Sequence, residues 1–383
     1  MARIIHLTTT DDSLEFLLGP QLEAMVAAGH DVIGVSAPGK YVERLAARGV
    51  AHEPLHASTR AMSLASDLRA MRELNAIVRR VRPDVLHCHN PKPGLYGRLI
   101  GRAAGVPVVV NTVHGLYASP DDHWLKRAVV YSAERLAAAC SDAELVQNPE
   151  DLALLKRLRV PSSRLHLLGN GIDLTRFNDG ASLDGRAAQR AALGVQADTV
   201  LIGTVGRLVL EKGYAELFTA AAGLVERFGK RVAFVVVGPE EPHKSDAVDR
   251  ETLERARASG ILFLGHRSDV ELFYPAFDVF VLASHREGFP RSAMEAAACG
   301  CPLVLTDIRG CRQVLEHERQ GLLVPRSDPA ALQHALGRLI DEPALRLRYG
   351  AAAAERARRD FDQQAQIRLS LELYERLLVR RVR

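Results

Sequence analysis

Short apolar, β-branched runs alternate with longer stretches whose apolar residues recur at helical spacing. "ARIIHLTTT" reads as a strand running into a polar loop, "LGPQLEAMVAAGH" as a helix closed by Gly29, and "DVIGVSA" as the next strand. The rhythm continues through "VERLAARG", "DLRAMRELNAIVRRVRP", "DVLHCHN", "GLYGRLIGRAAG" and "VPVVVNTVHG". Strand–helix alternation of this kind predicts a parallel sheet with helices on both faces. Past "LHLLGNGIDLTRF" the pattern restarts with "TVLIGTVGRL", "YAELFTAAAGLVERFG", "RVAFVVVGP", "ILFLGH", "VELFYPAFD" and "VFVLAS". The segment "LFLGHRSDVELFYPAFD" reads as strand, Gly-led loop and helix, with Ser268 or Asp269 as cap. The prediction is therefore α/β: two doubly wound, Rossmann-like parallel-sheet domains facing across a cleft. The first spans 1–178 and the second 179–360, with a hinge around 169–182. The amphipathic end, 361–383, is a helix that could pack back on the N-terminal domain.

Length agrees with that division, since one core rarely serves 383 residues. The apolar share is 47%, the charged share 25% and the net charge +4, with Lys and Arg spread along the chain. No basic block argues for a nucleic-acid partner. The five cysteines have no zinc-site spacing, so a reduced, cytoplasmic chain is expected. "MARIIHLTTTDD" lacks the apolar core of a signal peptide, and no window is apolar enough to span a membrane.

Ligands of open parallel sheets sit outside the carboxyl ends of the strands, so useful residues should follow strands directly. In "DVFVLASHREGFPRSAMEAAACG" a strand passes through a loop into a helix. Pro290 suits the first helical position, Gly300 the C-terminal cap, and Gly288 a close backbone approach. The N–H groups of Phe289, Arg291 and Ser292 would then present an anion site such as a diphosphate requires. Glu295, a turn further in, could hold paired ribose hydroxyls, and Glu287 on the loop the hydroxyls of a second ring. The plainer alternative is a capping acid and a solvated helix face. In "TVGRLVLEKGY", Arg207 and Lys212, bracketed by Gly206 and Gly213, could neutralise a leaving diphosphate; surface charge is the competing account.

In the first half, "VVVNTVHG" ends in His114 and "HCHNPKPG" carries His87, His89, Asn90 and Lys92. A strand-end histidine is commonly structural, and His87/His89 lack the carboxylates of a typical metal cluster, so no metal is assigned. No Ser-His-Asp order and no phosphate loop ending in Gly-Lys-Ser/Thr occurs.

Together "GRLVLEKG", "VVVGP", "ILFLGHRSDVELFYPAFDVFVLASHREGFPRSAMEAAACGCPLV", "GLLVP" and "NGIDLTRF" resemble the retaining nucleotide-sugar glycosyltransferases of family four, which have the GT-B fold. The likeness covers nearly the whole chain and is most specific in the second half. It implies that Arg207 and Lys212 bind the donor diphosphate, assisted by the N–H groups of Arg291 and Ser292. Glu287 and the N–H of Phe289 would read the donor sugar, Glu295 the ribose, and the Gly265–His266–Arg267 loop the base, while Gly288 admits the ligand. His114 would approach the donor sugar from the first domain. No metal or other cofactor is implied. A Gly-Gly loop common after the first strand is replaced here by "TTTDDSLEFLLGPQLEAM", a variation resembling members that build bacterial surface polysaccharides or lipid-linked glycans. The implied partners are a nucleoside diphosphate sugar, UDP before GDP, and a lipid-linked, glycan or small-molecule acceptor. Peripheral contact of the N-terminal domain with the inner face of a membrane is a further implication. A nucleotide-sugar epimerase of the same fold and a catalytically silent binding protein are the rival accounts.

Overall fold

The structure is a computed structural model describing residues 1–61, 63–118, 122–180 and 183–382. It divides into two compact units, Met1–Gly169 with Ala365–Arg383, and Asn170–Gln364.

The first unit carries strands β1 (Arg3–Thr10), β2 (Asp31–Ala37), β3 (Ala51–Pro54), β4 (Val85–Cys88), β5 (Val108–Val113), β6 (Ala143–Val146) and β7 (Leu165–Leu167). Among the described residues they form one sheet in the order β3-β2-β1-β4-β5-β6-β7, every pairing parallel. The second unit carries β8 (Val200–Val205), β9 (Val232–Val237), β10 (Leu262–Phe263), β11 (Val279–Leu282), β12 (Leu303–Thr306) and β13 (Gly321–Val324). Their order is β10-β9-β8-β11-β12-β13, again parallel throughout. Strands covered on both faces read as unbroken apolar runs, and "VLIGTV" and "VFVL" do so because nearly all their residues are buried. In each sheet the order reverses once, between β1 and β4 and between β8 and β11. Ligands of open parallel sheets bind outside such switch points.

Two boundaries differ from the sequence reading. The division falls at Gly169/Asn170 rather than at 178/179, because Ile172 and Phe177 are buried in the core of the second unit. The N–H of Ile172 also bonds the carbonyl of Phe361, at 2.9 Å. The terminal segment separates at 364/365 rather than 360/361. Its Leu373 and Tyr374 pack into the first unit with Leu18, Leu22 and Met25. The stretch "VELFYPAFD" is not one helix but two 3-10 turns, Val270–Leu272 and Tyr274–Ala276, and Asp269 makes no side-chain cap. Pro275 explains the break, since it has no N–H to donate and restricts the residue before it.

Candidate functional site

The loops after β8 and β11 lie on either side of the second unit's switch point. They meet so closely that Gly213 is required there. Its φ is +70°, and a Cβ at that position would lie 2.0 Å from the carbonyl oxygen of Ala283. A side chain would push the two loops apart. Their side chains meet as well. Lys212, in the turn Leu210–Lys212, gives Nζ–H to Glu287 Oε1 at 2.5 Å. Ser284, just past β11, donates its hydroxyl to the same oxygen at 2.7 Å. Lys212 is 21% exposed and Glu287 11%. An ammonium has three N–H groups and a carboxylate several lone pairs, so each retains capacity toward a ligand. This ion pair joins residues 75 apart and fixes the ammonium at the mouth of the switch point.

Arg207 follows β8 directly but is held loosely. Its Nη1 lies 4.0 Å from Glu241, and its side chain is 47% exposed. The backbone beneath is tightly tied, the N–H of Gly206 bonding Val237 and that of Gly238 bonding Gly265. The guanidinium is thus an exposed fork on a tightly bonded backbone.

The helix after Glu287 runs Arg291–Ala298, with Pro290 as its N-cap rather than its first helical residue, and no side chain caps it. The first N–H groups of any α-helix lack intrahelical acceptors, so this end is a natural anion site. Asn170 steadies the approach by donating Nδ2–H to the carbonyl of Phe289 at 3.1 Å. Gly300 follows the helix with φ +76°, as a C-terminal glycine should. Glu295 accepts the Tyr274 hydroxyl at 2.7 Å. Burial pushes its carboxyl above the usual range, while the charge of Arg291 and the Tyr274 hydrogen bond pull the other way. A carboxylate held in this way gains from hydroxyl donors. Glu295→Gln is expected to raise the KM of a ribose-bearing substrate roughly 10- to 100-fold, the value of a charged hydrogen bond or two. Its Tm at pH 7 should equal or exceed the native one, because the variant no longer buries a charge. A fall in Tm with unchanged KM would assign Glu295 to the fold alone.

The Gly265–Arg267 loop is exposed, and Gly265 has φ +64°. Arg267 makes two hydrogen bonds to Asp269, 2.9 and 2.6 Å, and lies over the ring of Phe273. His266 is exposed. Phe289 packs edge-on against Phe361. Gly288 and Ser292 occupy the loop and first turn beside Glu287.

His114 belongs to the first unit, just past β5. There it joins His89 and His6, the latter not singled out in the sequence. His87 and His89 sit two apart near the end of β4, a spacing that places them on one face. Pairing of His6 with His87 is a matter of β1–β4 register, which sequence does not display. His6, His87 and His89 offer nitrogens within 4.8 Å of one another, so in position they could serve a metal. Each of their six ring nitrogens, however, already contacts a neighbouring side chain. A second buried group missed by sequence is Arg98, which pairs with Glu134 and Glu144 at 2.8 and 2.9 Å inside the first unit.

The family described as "Glycosyl transferases group 1" matches residues 185–356, and the "Glycosyl transferase 4-like domain" matches residues 18–171. The chain is 29% identical over 290 residues to the UDP-Gal:alpha-D-GlcNAc-diphosphoundecaprenol alpha-1,3-galactosyltransferase of Escherichia coli, covering 75% of this chain and 74% of that one. It is 32% identical over 289 residues to a D-inositol 3-phosphate glycosyltransferase of Xylanimonas cellulosilytica, covering 72% and 68%. Among solved structures, Anabaena HepE in complex with UDP superposes with a TM-score of 0.80 at 19% identity, over 98% of this chain and all of that one.

Proposed function

The chain belongs to the family-four glycosyltransferases of the GT-B fold, and from that premise we propose that it moves a sugar from a UDP-sugar to a lipid-linked glycan acceptor with retention of anomeric configuration. The observation that carries the donor half of this reading is the Lys212–Glu287–Ser284 cluster beside an uncapped helix start at the switch point. Breaking the sugar–phosphate bond builds negative charge on the departing diphosphate. Lys212, the Arg207 fork and the amides at the start of Arg291–Ala298 oppose that charge. Because the charge grows as the bond breaks, they stabilise the transition state more than the bound donor. Glu287, held by Ser284 and Lys212, would accept hydroxyls of the transferred sugar, and Glu295 those of the ribose. Front-face attack, with the leaving phosphate oxygen taking the acceptor proton, needs no enzyme nucleophile and fits a site with one carboxylate near the sugar. The lipid-linked acceptor is supported by the Escherichia coli relative, whose name specifies a diphosphoundecaprenol acceptor.

The helix Trp124–Ala138 bears on the membrane side of this reading. Trp124, Leu125, Val129 and Leu136 are exposed along it, and the helix also carries Lys126 and Arg135. Apolar side chains accompanied by cations suit the interface of an anionic bilayer. No helix among the described residues is long and apolar enough to cross one. Co-sedimentation with phosphatidylglycerol vesicles is expected, and Leu125→Ser/Val129→Ser should weaken it severalfold. Equal pelleting of both proteins would remove this helix from the account.

The reaction test is incubation with UDP-sugars and undecaprenyl-diphosphate-linked acceptors, followed by mass spectrometry and by NMR of the new anomeric centre. An α-linked product from an α-linked donor is expected, at undiminished rate in excess EDTA. A β-linked product, or loss of rate restored by a divalent ion, would refute retention or metal independence respectively. Transfer to an inositol phosphate instead would favour a small-molecule acceptor, the reading suggested by the Xylanimonas cellulosilytica relative.

A further inference from the structure

The Lys212–Glu287 pair is not the only tie between the loop after β11 and the turn after β8. Residues 285, 286 and 287 each reach back to the segment 211–216. The backbone N–H of His285 donates to the carbonyl of Glu211 at 2.8 Å. Its ring Nε2 lies 2.8 Å from Glu216 Oε1. Arg286 Nε pairs with Glu211 Oε1 at 2.6 Å. On the opposite side, set by the order β8-β11-β12, the loop meets Gly310, where a Cβ would lie 2.5 Å from the carbonyl oxygen of Glu287. Polar tethers hold one side of the loop and close backbone packing the other. All of these groups belong to the second unit.

A carboxylate only accepts, so His285 presents Nε2–H to Glu216 and Arg286 a guanidinium N–H to Glu211. The two acceptors stand on a closed frame. Glu211 lies in the turn Leu210–Lys212, where Lys212 N–H bonds Val209 and Gly213 N–H bonds Leu210, both at 3.0 Å. Glu216 lies in the first turn of the helix Tyr214–Phe228 that follows. The two donors come directly before Glu287 in the chain. Arg286 is 45% exposed and Glu211 38%, and a pair this open adds little to stability. Its effect falls on geometry instead. The tethers set the direction from which Glu287 enters the site, and a displacement of about 1 Å at a reacting centre can cost about 100-fold in rate.

We propose that Glu211 and Glu216 are positioning residues: acting through Arg286 and His285, they hold the loop so that the Glu287 carboxylate faces the transferred sugar. Neither carboxylate touches the substrate. The sugar half of this proposal rests on the sugar-transfer reading above, whereas the tethering half does not.

The test compares the full native chain with Glu211→Ala/Glu216→Ala and with Glu211→Gln/Glu216→Gln. Glutamine keeps a carbonyl acceptor at both positions and loses only the charge. Hydrogen exchange of peptides covering residues 284–290 reads the tether without any substrate, since the His285 N–H is one of its bonds. Exchange there should quicken severalfold in the alanine pair and stay near native in the glutamine pair, with Tm unmoved in both. The kcat/KM for the UDP-sugar should fall about 10- to 100-fold in the alanine pair and recover in the glutamine pair. The Kd of UDP should not change, because UDP carries no sugar for Glu287 to meet. Exchange unmoved in the alanine pair overturns the proposal. Faster exchange with native kcat/KM overturns the positioning role. A loss of UDP affinity as large as the loss of kcat/KM also overturns it, since the two carboxylates would then serve the diphosphate end. A glutamine pair as impaired as the alanine pair overturns it as well, making charge rather than tethering the cause. Absence of sugar transfer by the native chain would sink the functional reading while leaving the exchange result standing. Should the alanine pair fail to fold, Glu216→Ala alone carries the same comparison.

Discussion

Replacing Lys212 with alanine is expected to lower donor turnover by roughly 10²- to 10³-fold, or about 3–4 kcal/mol, as removal of one preorganised charge-stabilising donor does elsewhere. Lys212 lies in the turn between β8 and the following helix, outside both core clusters of the second unit, so the fold should survive. The loss should fall mainly on kcat, because the ammonium opposes charge that appears only as the sugar–phosphate bond breaks. Lys212→Ala also strands Glu287, which keeps Ser284 but loses its cation. Glu287→Gln and Lys212→Ala should therefore be strongly non-additive, with the double variant little worse than Lys212→Ala. Steady-state kinetics on the two single variants and the double one, with Tm beside them, checks this. Full additivity would mean that the ion pair is incidental.

Acid should unfold the first unit before the second. His6, His87, His89 and His114 are kept neutral by burial, with His6 lowered to about 3 and His114 to about 4. Unfolded, each titrates near 6.5. Below that pH the unfolded chain takes up protons that the folded one refuses, so stability is lost as pH falls from 6.5 toward 4. For His6 alone the loss by pH 4 is about 3 kcal/mol, at roughly 1.4 kcal/mol per pH unit. Glu295 has the opposite sign. Its raised carboxyl weakens the second unit at neutral pH and ceases to do so as acid protonates it. Hydrogen exchange at pH 7 and pH 5 should show protection falling in β1, β4 and β5 while β8 and β11 hold. Equal loss in both sheets would mean that the imidazoles are not kept neutral as described.

Much of this architecture is legible in the sequence, for a physical reason. Strands buried on both faces must be apolar throughout, so "VLIGTV" and "VFVL" announce a parallel sheet, and the site follows from the rule that ligands sit past strand ends. Arg207, Lys212 and Glu287 follow from that rule as candidates. What could not be read was lateral order. The Lys212–Glu287 pair exists because β8 and β11 are neighbours, and no local pattern states that. The same holds for His6, whose partners arrive from β4 and β5, while the HxH spacing of His87 and His89 was visible. The helix expected over 270–278 is instead two short turns, because Pro275 withholds an N–H and restricts Tyr274, and this outweighs the apolar spacing. The boundary near 178 failed because Ile172 and Phe177, isolated apolar residues in a polar stretch, gave no sign of which core would bury them.

The central claim is that the second unit grips a diphosphate between the strand-end cations and a helix start. Titration calorimetry comparing UDP with uridine, on the native chain and on Arg207→Ala/Lys212→Ala, addresses it most directly. The account predicts that UDP binds the native chain at least about 100-fold more tightly than uridine, as two or more charged hydrogen bonds would give. In the double variant most of that advantage should vanish while uridine binding is unchanged. An advantage for UDP that survives intact in the double variant would contradict the account.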